Sequence, residues 1–333
     1  MADFAFVRVE QRGGCAWVTL DRPPLNLIVP EMIRGIKAAF EELREDPRVR
    51  AAVLTGSGRA MTAGMQLQFL RDLTAREAKA FIATLHEAIH AVHEAPFPTV
   101  CMMNGHCLGG GFELAMACDM RTAATEALMG LPEIRVGVPS VIEAALLPPL
   151  IGPARAAECL LTGESISARQ ALEWGLVNRV APSAELGQAT AELIDRVLEC
   201  APAAVRLQKE LIIRWRNTDL RSAVEYGINA FAQAAYSVYA MAAQIQTGQV
   251  QTKGDNDLST RTILQIWRRF EVCWQYADNV IAGAIQHECL VQDVWIRRKM
   301  TLPERLTQHH DTRPALFVLL WSERPTKLWV DTQ

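Results

Sequence analysis

Apolar positions along the chain switch between two periods. Residues 6–10 and 15–20 cluster or alternate β-formers on either side of Arg12-Gly13-Gly14, the pattern of a β-hairpin. From Pro30, the residues Ile33, Ile36, Phe40 and Leu43 recur every three or four positions. That spacing predicts a helix with one apolar face, ended by Asp46-Pro47. Residues 51–54 form a short apolar run of strand length before Thr55-Gly56-Ser57-Gly58. Thr74 and Glu77 have capping-box spacing, and the helix they start carries Ala78, Phe81, Ile82, Leu85, Ile89 and Val92 on one face. A buried strand is predicted over 97–103, a buried helix over 112–118 and another strand over 119–123. From Leu186 to about Ala235 the pattern is helical, with Pro202 opening a new segment. This repeated order of strand, turn and helix is that of an α/β fold.

The stretch Asn104-Gly-His-Cys-Leu-Gly-Gly-Gly-Phe-Glu-Leu-Ala-Met-Ala-Cys-Asp119 joins the 97–103 strand to the buried helix. A strand, a glycine-rich turn and a helix start leave backbone N–H groups pointing outward. Three glycines let another molecule approach that backbone closely. Glu113 is the only formally charged side chain between Thr99 and Asp119. A carboxylate on the first turn of an apolar helix is desolvated, which raises its proton affinity and suits proton transfer. The alternative is an exposed glutamate favoured by the helix dipole. The glycine spacing is not that of a dinucleotide fingerprint.

Composition narrows the field. The 333 residues are 50% hydrophobic and carry a net charge of −3 with no basic block, which argues against nucleic acid as the main partner. The eight cysteines include no C-x-x-C pair, which favours reduced, buried thiols in a cytoplasmic protein over a disulfide framework. No secretory leader and no membrane-length apolar run is apparent.

The 104–119 stretch resembles the signature of the enoyl-CoA hydratase (crotonase) superfamily, and further motifs keep that family's order over about residues 5–235. Asp21-Arg22-Pro23-Pro24-Leu25-Asn26 resembles its N-R-P…L-N segment, which makes Arg22 a candidate phosphate contact beside a solvated-charge alternative. Met61-Thr62-Ala63-Gly64-Met65-Gln66-Leu67 resembles its S-A-G-A-D-L loop, with Gln66 in place of Asp. The resemblance implies an oxyanion hole made by the backbone N–H groups of Met65 and Gly110, with Ala63, Gly64, Gly109, Gly111 and Pro132 around the substrate. Leu131-Pro132-Glu133 resembles the segment carrying the second catalytic carboxylate of hydratases, which pairs Glu133 with Glu113. Ser140-Val-Ile-Glu143 departs from the family's glycine-rich segment. Glu143 is either a charge at a helix start or a further acid/base near the acyl end of the pocket.

The resemblance further implies a crotonase-like ββα spiral over 1–195 and a C-terminal helical region over 196–243 that packs as a homotrimer or dimer of trimers. It implies hydration of an enoyl-CoA thioester, with coenzyme A as part of the substrate and no metal or other cofactor. Arg206 and Lys209 are weighed as coenzyme A contacts against solvated helix charges. A 3,2-enoyl-CoA isomerase and a non-catalytic acyl-CoA-binding or scaffold protein remain alternatives. A third comes from His86-Glu87-Ala88-Ile89-His90, which matches the zinc-protease pattern H-E-x-x-H but lacks its continuation. Residues 244–333 match no family pattern: a polar linker precedes a segment holding five of the eight tryptophans.

Overall fold

The computed structural model describes residues 4–71 and 73–246, with side chains up to residue 235 except Leu67. The proposed linker and tryptophan-rich tail from residue 247 onward lie outside the described residues. Contacts divide the chain into one unit ending at Asn217 and a second beginning at Thr218.

Strands β1 (Val7–Arg12) and β2 (Cys15–Leu20) form the hairpin, with Arg12 opposite Cys15 across Gly13-Gly14, both at positive φ. Helix α1 (Pro30–Glu45) buries Ile33, Ile36, Phe40 and Leu43. Three passes of one pattern then follow. In each, a strand enters a large sheet, a short strand enters a second sheet, and helical structure returns the chain. The first pass is β3 (Ala51–Gly56), β4 (Ala60–Thr62), α2 (Leu67–Arg71) and α3 (Ala75–His93). The second is β5 (Thr99–Met103), β6 (His106–Leu108) and α4 (Gly110–Ala117). The third is β7 (Met120–Ala124), β8 (Leu128–Gly130) and two 3-10 turns at Pro132–Val136 and Glu143–Leu146, then α5 (Leu147–Ile151) and α6 (Pro153–Thr162).

β9 (Ile166–Ser167), α7 (Ala168–Glu173), β10 (Arg179–Ala181), α8 (Ser183–Leu198) and α9 (Pro202–Trp215) complete the first unit. The large sheet runs β1-β2-β3-β5-β7-β10, parallel except for the hairpin, and the small one β4-β6-β8-β9. The parallel central strands are near-continuous apolar runs because both faces are covered; β3 is buried along its whole length. The second unit is described by α10 (Leu220–Gln246), which starts where Asp219 accepts hydrogen bonds from the Ser222 backbone and hydroxyl. Among the described residues no helix is long and apolar enough to cross a membrane.

The capping box at Thr74 forms as its spacing predicts. The apolar face of α3 behaves differently from the expectation at its start. Ala78 is exposed and Phe81 only half-buried, and burial begins at Leu85. Phe81 finds a partner in Phe69 of α2, with ring centroids 5.0 Å apart.

Candidate active site

The second pass places the glycine turn at the edge of the small sheet. Gly109 sits at φ 58°, ψ −136° as the N-cap of α4, a conformation costly for any residue with a Cβ. A Cβ there would also meet Glu133 Oε1 at 2.7 Å, with Gly64 Cα 3.7 Å away. Glu133, Gly64 and Gly109 therefore share one small volume. Gly111 is required by packing: its Cβ would fall 1.9 Å from Thr62 Cγ2. Thr62 in turn accepts a hydrogen bond on Oγ1 from Gly64 N–H, 3.1 Å.

The two amides proposed for the oxyanion hole are left unpaired by their neighbours. Ile28 bridges the Met65 loop: its N–H donates to Gly64 O and its carbonyl accepts from Gln66 N–H. This pairing skips Met65, whose own N–H has no acceptor among the described residues. Gly110 is the first residue of α4, where an N–H has no partner within the helix. A Cβ on Gly110 would lie 4.0 Å from Met65 Cγ, so the two loops abut.

Glu113 is 3% exposed on the first turn of α4, all eight residues of which are buried. Its Oε1 accepts from Ala144 N–H at 2.9 Å and Ile142 N–H at 3.3 Å. Burial pushes its carboxyl up to about 7, and the charges of Glu133 and Glu143 push the same way, against the two amides. Glu133 sits on the Pro132–Val136 turn, and its Oε2 accepts from Ser140 Oγ at 3.0 Å. Burial raises its proton affinity too. Among the described residues, each carboxylate thus has one oxygen tied down by another residue and no hydrogen bond from another residue to its second oxygen. Pro132 is half-buried at the start of its turn, and Ala63 donates its N–H to Leu25 O.

Arg22 is half-buried and held by its neighbours. Its guanidinium donates to Gln66 Oε1 at 2.7 Å and Leu27 O at 3.3 Å. Gln66, the departure from the family's Asp, therefore anchors the Met65 loop. Lys209 corrects both readings offered for it. It is 2% exposed and pairs with Asp119 at 2.7 Å, so it is neither solvated nor available to coenzyme A. Arg206 donates to Val49 O at 3.4 Å.

Asn26 is a support that the sequence reading passed over. Fully buried at φ 49°, it accepts from Arg22 N–H and donates to the carbonyls of Ser57, Ala60 and Met61. It pins the approach to the Met65 loop. In sequence it closes the segment that resembles the family's N-R-P…L-N pattern, and Asn is a turn residue tolerant of the left-handed region. A cavity of about 760 Å³ lies elsewhere, between β1–β3 and α8, and is lined by none of the site residues.

A family model described as enoyl-CoA hydratase/isomerase matches residues 10–249. A putative enoyl-CoA hydratase of Thermus thermophilus is 38% identical over 211 residues, 62% of this chain and 83% of its own. A crotonyl-CoA hydratase of Syntrophomonas wolfei is 34% identical over 226 residues, 67% and 87%. A carnitinyl-CoA dehydratase of Salmonella typhi is 34% identical over 207 residues, 62% and 79%. Among solved structures, an enoyl-CoA hydratase from Bacillus anthracis superposes with a TM-score of 0.68 at 27% identity, covering 73% of this chain and 96% of that one.

Proposed function

The chain belongs to the enoyl-CoA hydratase/isomerase family, and from that premise we propose that it adds water across the 2,3 double bond of an enoyl-CoA thioester. The observation that carries the reading is the meeting of two unpaired amides with two carboxylates that each keep a free oxygen. The Met65 and Gly110 N–H groups bind the thioester oxygen. Being backbone donors, they are aimed before charge develops there, and losing one such donor costs about 10²–10³ in rate. The free oxygens of Glu113 and Glu133 hold one water. Glu113 takes a proton from it as its oxygen bonds to C3, and the double-bond electrons move onto the thioester oxygen as an enolate. The enolate collapses as C2 takes a proton from Glu133. Both carboxylates then re-equilibrate with solvent. Two acids are needed because one proton is removed and another supplied in nearly the same place.

The oligomer we carry over from the family is a homotrimer or dimer of trimers, read directly by light scattering on the full chain. Isomerisation of a 3-enoyl-CoA is the second reading, favoured by the presence of a third carboxylate at 143 beside Glu113.

Crotonyl-CoA incubated in D₂O separates the two. Hydration yields a 3-hydroxyacyl thioester that is heavier by one water and carries deuterium at C2. We expect Glu113→Gln and Glu133→Gln each to lower kcat by at least about 10²-fold. Retention of hydration by both variants, or conversion of a 3-enoyl-CoA with no water added, would remove the assignment.

A further inference from the structure

Glu113 is held by a turn that apolar burial does little to fix. Its Oε1 accepts from the backbone N–H groups of Ile142 and Ala144, on either side of Glu143. Val136, Val138 and Val141 on the segment leading into the turn are exposed, and Ala144 is the buried residue of Glu143–Leu146. Segments with few buried apolar contacts open at low cost, so a second restraint on the two amides matters here.

Glu143 supplies one. Its side chain is 12% exposed, and its Oε1 lies 2.6 Å from Nδ1 of His86 on α3. The carboxylate accepts, so Nδ1 carries the proton. Oε2 is enclosed, with no hydrogen-bond partner among the described residues, which leaves His86 as the donor that another residue brings to this carboxylate. Helix α3 is anchored in the core by Leu85, Ala88, Ile89 and Val92. Leu85, the residue before His86, packs against the glycine turn: a Cβ on Gly110 would lie 3.0 Å from its Cδ2. The pair therefore ties the turn to a fixed element that already abuts the site.

His86 is the first imidazole of the H-E-x-x-H segment. The three histidines of α3 do not converge on a shared ion. His86 turns to Glu143, while His93 Nδ1 is 3.3 Å from Ala117 O and 3.1 Å from the Arg216 guanidinium. No group of three His, Cys, Asp or Glu among the described residues is placed to hold a metal.

We propose that His86 and Glu143 form a positioning pair for the catalytic base: by tying the 142–144 turn to α3, they keep both amides on Glu113 Oε1. The proposal rests on Glu113 acting as the base of the thioester reaction. The amides favour ionised Glu113, and the charges of Glu133 and Glu143 disfavour it. Glu143 in turn faces His86 and His90, and His86 lies beside Glu87, which pairs with Lys37 at 2.7 Å. Releasing the turn removes donors from Glu113, and a carboxylate without them holds its proton to higher pH.

Infrared difference spectra of the full chain test this without turnover. Each protein is compared with the same protein carrying Glu113→Gln, so the difference reads the Glu113 carboxyl as it takes its proton. The variants are made in a Glu143→Gln background, which keeps an acceptor for Nδ1 and removes the charge, so that the tie alone is read. His86 is exposed, and its replacement leaves the core intact. His86→Ala should raise the titration midpoint of Glu113 by about half a pH unit or more. It should also lower kcat/KM for crotonyl-CoA roughly threefold at a pH below that midpoint, where activity follows the ionised fraction. His86→Asn, whose amide nitrogen lies near the Nδ1 position, should recover both. Asn does not titrate, so its recovery assigns the change to Glu113 and not to the imidazole. Glu87→Ala breaks the Lys37 pair on the same helix without touching the turn, and should leave the midpoint in place.

A midpoint unmoved by His86→Ala, moved as far by Glu87→Ala, or not recovered by His86→Asn overturns the proposal. Hydration of crotonyl-CoA without the shift overturns the positioning claim alone. The shift without hydration supports the tie and overturns the reaction alone.

Discussion

Glu113 is buried among apolar side chains and flanked by two other acids, yet two amides point at it. Burial and charge outweigh the amides, leaving its folded value at about 7 against an ordinary 4.5. Two consequences follow in pH. As a base it must be ionised, so the acid limb of kcat/KM should rise through about pH 7 rather than near 4.5. In stability the sign is opposite. The protonated form is favoured in the folded state, so this group's contribution is fully present below about 4.5 and is lost as pH rises through 7. Glu113→Gln keeps an acceptor for Ala144 and Ile142 and removes the titration. Relative to the native protein it should gain up to about 3 kcal/mol between pH 4.5 and pH 8, measured by denaturant unfolding across that range. A stability difference that does not change with pH would contradict the buried-charge account. The lone charge at position 113 in an apolar run made this carboxylate legible in sequence. Asn26 and the Arg22–Gln66 pair were not legible, because their meaning lies in partners up to 44 residues away.

Helix α4 owes its position to interlocking small residues. Gly111 admits Thr62, and Thr62 orients Gly64, so the helix start and the Met65 loop are set against each other. Helix α9 is fixed by a different device. Lys209 reaches into the first unit's core, where Nζ donates to both oxygens of Asp119 and to His93 O. Asp119 also accepts from Thr99 N–H and Oγ1. Removing one partner of a buried ion pair strands the other charge. Lys209→Met should therefore cost about 3–5 kcal/mol; unfolding of the single variant and of Lys209→Met with Asp119→Asn reads this. The double variant should recover part of the loss, and a cost below about 1 kcal/mol for the single would mean that the pair is solvated. The sequence pattern predicted both helices, α4 from its apolar composition and α9 from Pro202 opening a helical segment. α4 is buried throughout, whereas Lys209 is the one fully buried residue of α9. The pattern could not predict that a charged residue on α9 would be the buried one. Its partner is 90 residues earlier, and nothing local distinguishes Lys209 from Arg206.

For the first unit taken whole, the spiral explains why groups from residues 65, 110, 113, 133 and 143 meet. Each pass adds a strand to the large sheet and a short parallel strand to the small one, β4, β6 and β8 in order. The loop leaving each short strand emerges at the same edge. β4 delivers the Met65 loop, β6 the glycine turn, and β8 the Glu133 segment. Strand, turn and helix could be read along the chain, but the stacking of passes depends on pairings between distant strands. The resemblance to a known family supplied that part. The C-terminal boundaries expected at 195 and 243 are untouched by this logic, since the contact division falls at 217. Where a bound thioester oxygen lies decides whether the two amides form an oxyanion hole. A crystal structure of the full chain with acetoacetyl-CoA should place that oxygen within about 3 Å of both Met65 N and Gly110 N, with C3 between the carboxylates of Glu113 and Glu133. A thioester oxygen bound away from either amide, or a C3 reached by only one of those acids, would contradict it.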